Sequence, residues 1–234
     1  MTEIIAALDV ETIHKEEELL ERLKGVVTNY KVGLQLFTAH GKRAVDLVLR
    51  QGGKVFLDLK MLDIPQTVAN AVREAQRLGV HSVSLHLWGG PAMIAAASAV
   101  RPRPKLWGVT VLTSLGPEDL KFLHPQASIK PMVTRLARMG LDHGLDGVIC
   151  SAQEAPSLLK TLGADTCLVT PGIRPAGSDI GDQRRIMTPG EAAKAGIRYL
   201  VIGRPITRAA DPRKAAFDIL AEMRHAAPHS LEKL

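Results

Sequence analysis

Eight short apolar runs, separated by amphipathic or polar stretches, set the strongest constraint on how this chain can fold. In order they are "EIIAALDV", "VTNYKVG", "KVFLDLK", "SVSLHL", "LWGVTVLT", "GVICS", "TCLVTPG" and "RYLVIGR". Helix-like stretches lie between most of them, among them "HKEEELLERLKG", "AHGKRAVDLVLRQG", "PQTVANAVREAQRLG" and "IKPMVTRLARMG". Several close on glycine, at Gly25, Gly52, Gly79, Gly140, Gly163 and Gly196, where a residue without a Cβ can turn left-handed and end a helix. Strands that alternate with helices pair in parallel, and eight such units close on themselves. An open doubly wound sheet is the competing architecture. It usually begins with a glycine-rich turn after the first strand, and "LDVETIHK" has no glycine there. The pattern therefore predicts a single-domain α/β chain, a (β/α)8 TIM barrel over residues 1–227, with 228–234 a frayed tail or cloning remnant.

Composition fits that size of fold. The chain has 234 residues, 46% of them hydrophobic, close to the roughly 250 that such barrels use. No apolar run approaches the ~18 residues needed to span a bilayer, which argues against a membrane. "MTEIIAALDV" lacks the basic start and cleavage site of a secretory signal. Cys150 and Cys167 share no metal-ligand or redox spacing and read as buried thiols of a chain working in a reducing cytoplasm. The net charge of +6 raises the question of nucleic acid. Aromatic residues make up only 3%, so there is little to stack bases upon, and the basic residues are spread through the helices. A modestly basic surface, or a field that draws in a small phosphorylated anion, is the better reading.

In barrels of this kind the reactive groups sit at the C-terminal ends of the strands. Alternation along the third strand puts Val55, Leu57 and Leu59 on a face suited to packing on helices, and Phe56, Asp58 and Lys60 towards the barrel axis. The first strand ends on Asp9, in register with Ile5 and Ala7; the second ends on Lys31, before Val32 and Gly33; the fourth offers Ser84 and His86. A lone strand-end charge is more often a loop cap than a catalyst. Four charges of alternating sign converging on one mouth are different, because burying them is costly unless they pair. His86 reads as a supporting or core histidine rather than a proton carrier.

A second signal lies in "VTPGIRPAGSDIGDQRRIMTPGEA", a long loop after the seventh strand that carries Arg174, Gln183 and Arg184. The eighth strand then ends on Gly203 and Arg204. Loops after strands seven and eight of such barrels often form a phosphate site. Gly203 lets the backbone approach closely, and the Arg204 guanidinium offers a bidentate grip.

Taken together, "LDLKMLDIPQTV", "ALD", "KVG", "HLWGG", "VLTS", "TPGIRP", "DQRR" and "IGRPI" resemble the orotidine 5′-monophosphate decarboxylase family, in order over roughly residues 4–220. The resemblance implies a cofactor-free, metal-free decarboxylase of pyrimidine synthesis, a homodimer whose active sites are each completed by the partner. It implies that Lys60 protonates C6 of the pyrimidine, that Asp58 lies beside the departing carboxylate, and that Asp63 and Thr67 reach in from the other subunit. Lys31 and Asp9 would hold ribose hydroxyls and the charged network, and Thr113 or Ser114 would read the base. Gln183, Gly203 and Arg204 would take the phosphate, with Arg174 on the loop from Pro171 that closes over it.

Two rival readings remain. Mg-dependent sugar-phosphate decarboxylases and aldolases of the same barrel group share the Asp-x-Lys-x-x-Asp motif. They resemble one another in carrying an acid where this chain has Lys31, whose ammonium would repel a divalent cation. They also continue with Ala-Gly where this chain has Ile64-Pro65. A non-catalytic nucleotide-binding barrel would keep "IGRP" but would have no reason to set Lys60 between two aspartates.

Overall fold

The computed structural model describes residues 1–121, 126, 128–176 and 186–226. The eight apolar runs form eight strands: β1 (Glu3–Ala7), β2 (Asn29–Gly33), β3 (Lys54–Met61), β4 (Ser82–His86), β5 (Lys105–Val109), β6 (Gly147–Ile149), β7 (Leu168–Thr170) and β8 (Tyr199–Ile202). They pair in parallel and in sequence order, and β8 closes on β1, with Ile5 opposite Val201 and Ala6 opposite Ile202. The chain is thus a closed (β/α)8 barrel. Among the described residues the helices are α1 (Ile13–Leu23), α2 (Leu34–His40), α3 (Lys42–Arg50), α4 (Pro65–Arg77), α5 (Gly90–Ser98), α6 (Pro117–Lys121), α7 (Ile129–Asp142), α8 (Ala155–Leu162), α9 (Pro189–Lys194), α10 (Arg204–Thr207) and α11 (Pro212–Ala226). None is long and apolar enough to cross a membrane.

Local chemistry sets these boundaries. Thr12 caps α1 by accepting the Lys15 N–H at 3.2 Å, Pro65 opens α4, and Thr188 with Glu191 forms a capping box on α9. Five of the six expected closing glycines do take positive φ: Gly25, Gly52, Gly79, Gly163 and Gly196. Gly140 does not. It lies inside α7, where a Cβ would fall 2.6 Å from Leu145 Cδ1 and 2.8 Å from Leu87 Cδ2. Close packing demands that glycine, and Gly144 (φ 93°) makes the turn instead.

Strand alternation divides the core in two. Val55 and Leu57 belong to the layer between sheet and helices, whereas Phe56 points into the barrel with Ile5, Ala7, Trp107, Val109 and Tyr199. Trp107 fills the barrel between Phe56 and Tyr199, its ring centroid 4.7 Å and 5.2 Å from theirs. Truncating so large a buried ring costs about 3–5 kcal/mol. This plug fills the middle of the barrel and separates the mouth at the C-terminal ends of the strands from the opposite end. Cys150 is buried, Cys167 is half-buried, and both are thiols.

One buried residue departs from the amphipathic logic. Glu16 lies in the helix-like stretch "HKEEELLERLKG", yet it is fully buried on the inner face of α1, and neither carboxyl oxygen has a hydrogen-bond partner among the described residues. Burial pushes its carboxyl up to about 8. The unfolded chain releases that proton near its ordinary 4.5, while the fold retains it to about pH 8. Stability from this group is therefore full below pH 4.5 and falls as pH rises through that window. Replacing Glu16 by Gln should leave Tm unchanged at pH 4 and raise it by about 4–10 °C at pH 8, corresponding to roughly 2–4 kcal/mol. Parallel Tm–pH curves for the two proteins would contradict this.

Candidate active site

The C-terminal ends of β1, β2 and β3 bring four charges into contact. Lys31 and Asp58 are the buried members, with side chains 11% and 12% exposed. Lys60 Nζ donates to both Asp58 oxygens, at 3.0 and 2.9 Å. Lys31 Nζ lies 3.8 Å from Asp58 Oδ2 and donates to Asp9 Oδ1 at 2.9 Å. The series Asp9, Lys31, Asp58, Lys60 thus alternates in sign. Each charge offsets the desolvation of its neighbour, but apolar residues of the same volume would stabilise a barrel as well or better. The array is a device for holding an ammonium in place.

Lys60 itself is held in an unusual backbone. It has φ 50°, the single positive φ outside glycine among the described residues, a conformation that costs about 1–3 kcal/mol. The register explains it. Between the pairs Leu57–Val83 and Met61–Leu85, β3 advances four residues while β4 advances two, so β3 bulges outward at Lys60. The Lys60 N–H leaves the ladder and donates to Ser84 Oγ at 2.8 Å, and the Ser84 hydroxyl donates to Asp58 Oδ1 at 2.8 Å.

Two adjoining cavities open beside the array. The smaller, about 250 Å³, is lined by Phe56, Asp58, Lys60, Val109, Thr113 and Ile149, with Ser114 also on its wall. Its sides are mostly apolar, and the Lys60–Asp58 pair sits at one edge. The larger, about 590 Å³, is lined by Asp9, Lys31, Arg174, Gly203 and Arg204 and gathers cationic side chains. Lys31 and Pro171 line both, which makes the two compartments continuous. Arg174 is buried, with a guanidinium N–H donated to the Ile173 carbonyl at 2.8 Å. A third recess of about 640 Å³ lies at the opposite end of the barrel, around Glu3, Asn29 and Arg198, and none of the four charges reaches it.

Other residues singled out by the sequence fall elsewhere. Asp63 is exposed, accepts the Ile64 N–H at 2.6 Å and lines neither cavity; Thr67, in the first turn of α4, is likewise exposed. Within one chain the structure does not bring them to the array. Gln183 and Arg184 lie outside the described residues. His86 accepts the Trp88 N–H through Nδ1 at 3.5 Å, and burial together with the nearby Lys60 charge pushes its imidazole down, which keeps it neutral at pH 7. It shapes the turn after β4. Among the described residues no three His, Cys, Asp or Glu side chains gather as a metal site.

Residues 2–219 match the Orotidine 5′-phosphate decarboxylase / HUMPS family. The chain belongs to this family. Curated relatives agree over nearly the full length. An orotidine 5′-phosphate decarboxylase of Moorella thermoacetica is 47% identical over 230 residues, covering 94% of this chain and 91% of the relative. One from Laribacter hongkongensis is 51% identical over 217 residues, covering 91% and 89%. Among solved structures, the orotidine 5′-phosphate decarboxylase of Lactobacillus acidophilus superposes with a TM-score of 0.83 at 36% identity, covering 95% of this chain and 99% of that one.

Within this member of the family, Gly33 has a steric role that the sequence does not announce. A Cβ there would fall 2.6 Å from Lys31 Nζ and 3.3 Å from Asp9 Oδ1. Only the flexible ammonium can give way, and it would leave the bridge between Asp9 and Asp58. Gly33→Ala should therefore fold normally and lose about 10- to 100-fold in kcat/KM. Paired activity and Tm measurements check this, and wild-type activity would contradict it.

Proposed function

We propose that this chain is a cofactor-independent carbon–carbon lyase that converts orotidine 5′-monophosphate to uridine 5′-monophosphate in pyrimidine biosynthesis, in the cytoplasm. The observation that carries the reading is a fixed ammonium, Lys60, held by Asp58 at the edge of an apolar pocket beside a cation-rich one. The smaller cavity suits a planar pyrimidine, with Thr113 or Ser114 at the base edge. The larger suits the ribose and phosphate, with Asp9 and Lys31 near the hydroxyls and Arg204, Gly203 and Arg174 around the phosphate; Gln183, outside the described residues, keeps its phosphate role only through the family resemblance. The names of the relatives support this substrate.

This geometry supports the following chemistry. When the bond from C6 to the carboxylate breaks, carbon dioxide leaves and its electron pair remains on C6. An ammonium already in place stabilises that charge without reorganisation, and Lys60 then gives C6 a proton. The resulting amine regains a proton from solvent. Asp58 fixes the ammonium and faces the departing carboxylate, while phosphate contacts far from C6 supply binding energy that holds the ring in register.

The reading includes a homodimer in which Asp63 and Thr67 serve the partner's site. Leu62 and Ile64, which flank Asp63 in the chain, are 54% and 67% exposed, apolar surface that a second copy would cover. An acid at that edge would add a second carboxylate to Lys60.

Carbon dioxide release from carboxyl-labelled orotidine 5′-monophosphate tests the substrate. Steady release, with none from the sugar-phosphate substrates of the related Mg-dependent enzymes in the presence of Mg2+, is the expected result. Turnover of the sugar phosphates alone would replace this reading with theirs.

A further inference from the structure

We propose that Ser84 is a positioning residue whose hydroxyl sets both the backbone of Lys60 and the carboxylate of Asp58, an inference that rests on the decarboxylase reading above. Three observations meet at this one side chain. Ser84 is fully buried and lines neither cavity, so it acts on substrate only through its neighbours. Its oxygen accepts the N–H of Lys60 at 2.8 Å, at the left-handed residue of the bulge. Its proton goes to Asp58 Oδ1 at 2.8 Å, the carboxylate that Lys60 Nζ grips from the other side. The result is a closed circuit: Lys60 amide to Ser84 hydroxyl to Asp58 carboxylate and back to the Lys60 ammonium.

A circuit of this kind does what the ladder cannot. The bulge removes the Lys60 N–H from pairing with β4, and a buried amide without a partner would drive the backbone towards another conformation. Ser84 is the partner that makes the left-handed conformation tolerable. It also orders the lone pairs of Asp58. One oxygen is shared between a hydroxyl donor and Lys60, and the other faces Lys60 and Lys31. Without the hydroxyl the carboxylate could rotate, and the ammonium would follow it away from C6.

The test compares Ser84→Ala, Ser84→Cys and Ser84→Thr with the wild type on orotidine 5′-monophosphate. Ser84→Ala should lower kcat roughly 10- to 100-fold. Its KM should stay within about threefold, because the substrate contacts remain. Ser84→Cys restores the volume with a poor hydrogen-bonding group, and should stay as slow as Ser84→Ala. Ser84→Thr keeps the hydroxyl and should recover most of kcat. If Ser84→Ala fails to fold, Ser84→Cys carries the comparison. Wild-type kcat in Ser84→Ala or Ser84→Cys, or a loss confined to KM, would overturn the proposal. A crystal structure of Ser84→Ala or Ser84→Cys supplies a readout independent of turnover: Lys60 should leave φ near 50° or lose its two-oxygen contact with Asp58, and unchanged geometry would count against the role. Failure of the wild type to act on orotidine 5′-monophosphate would sink the decarboxylase reading alone, leaving this geometric comparison to decide Ser84.

Discussion

Replacing Lys60 by alanine should lower turnover of orotidine 5′-monophosphate by about 10⁴-fold or more, because the proposed mechanism asks one side chain both to stabilise the C6 carbanion and to protonate it. Binding should survive. Calorimetry with uridine 5′-monophosphate should give a Kd within about tenfold of wild type, since the phosphate and ribose contacts lie in the other compartment. The fold should survive as well, because Asp58 retains Lys31 at 3.8 Å and the Ser84 hydroxyl at 2.8 Å. A variant that still turns over within about tenfold of wild type would remove Lys60 from the chemistry. It would revive the idea of a nucleotide-binding barrel without catalysis.

Mixing two inactive variants should restore activity. Asp63→Ala alone should lose about 10²–10³-fold if its carboxylate supports the partner's Lys60. In a dimer of one Lys60→Ala chain and one Asp63→Ala chain, both lesions fall in the same site and leave the other intact. Random pairing makes half of the dimers mixed, so recovery should approach about a quarter of wild-type activity. The measurement is activity after co-refolding equal amounts of the two chains, and mixed dimers then isolated by two tags should carry about half of wild-type activity. No recovery in verified mixed dimers would place Asp63 outside the partner's site. The motivating geometry is plain: Asp63 lines neither cavity of its own chain and sits between exposed Leu62 and Ile64.

The barrel was legible because each strand is a short apolar run with a two-residue period. The same period separates Phe56, inside the barrel, from Val55 and Leu57, which face the helices. It also brings Asp9, Lys31, Asp58 and Lys60 to one mouth. Other features are invisible to periodicity. The bulge at Lys60 arises from register against β4, and no residue type in "LDLKML" announces a left-handed lysine. "LQLFTAH" follows the second strand without a break and forms α2, and Gly41 at φ 52° separates it from α3, whereas the apolar pattern suggested one helix from Ala39. Helix α11 could have been found. Asp211 before Pro212 is a capping signal, and its carboxylate accepts the Lys214 N–H at 3.1 Å. Glu16 shares the helical face of Ile13, Leu20 and Leu23, so the period marks its position, but its residue type hides the burial.

Ser84 and Gly33 show where pattern stops and geometry begins. The strand pattern offers Ser84 at the mouth and Gly33 at the end of "KVG" but gives neither a task. In space, one ties Lys60 to Asp58, and the other leaves room for the ammonium of Lys31.

In the proposed mechanism, side-chain charges alone stabilise the carbanion at C6. Its most direct test is the initial rate of the ultraviolet absorbance change as orotidine 5′-monophosphate becomes uridine 5′-monophosphate, before and after exhaustive dialysis against EDTA. A metal-free mechanism gives the same rate in both preparations. A rate that vanishes with EDTA and returns with Mg2+ would contradict it, and would mean that Lys31 does not exclude a metal from this mouth.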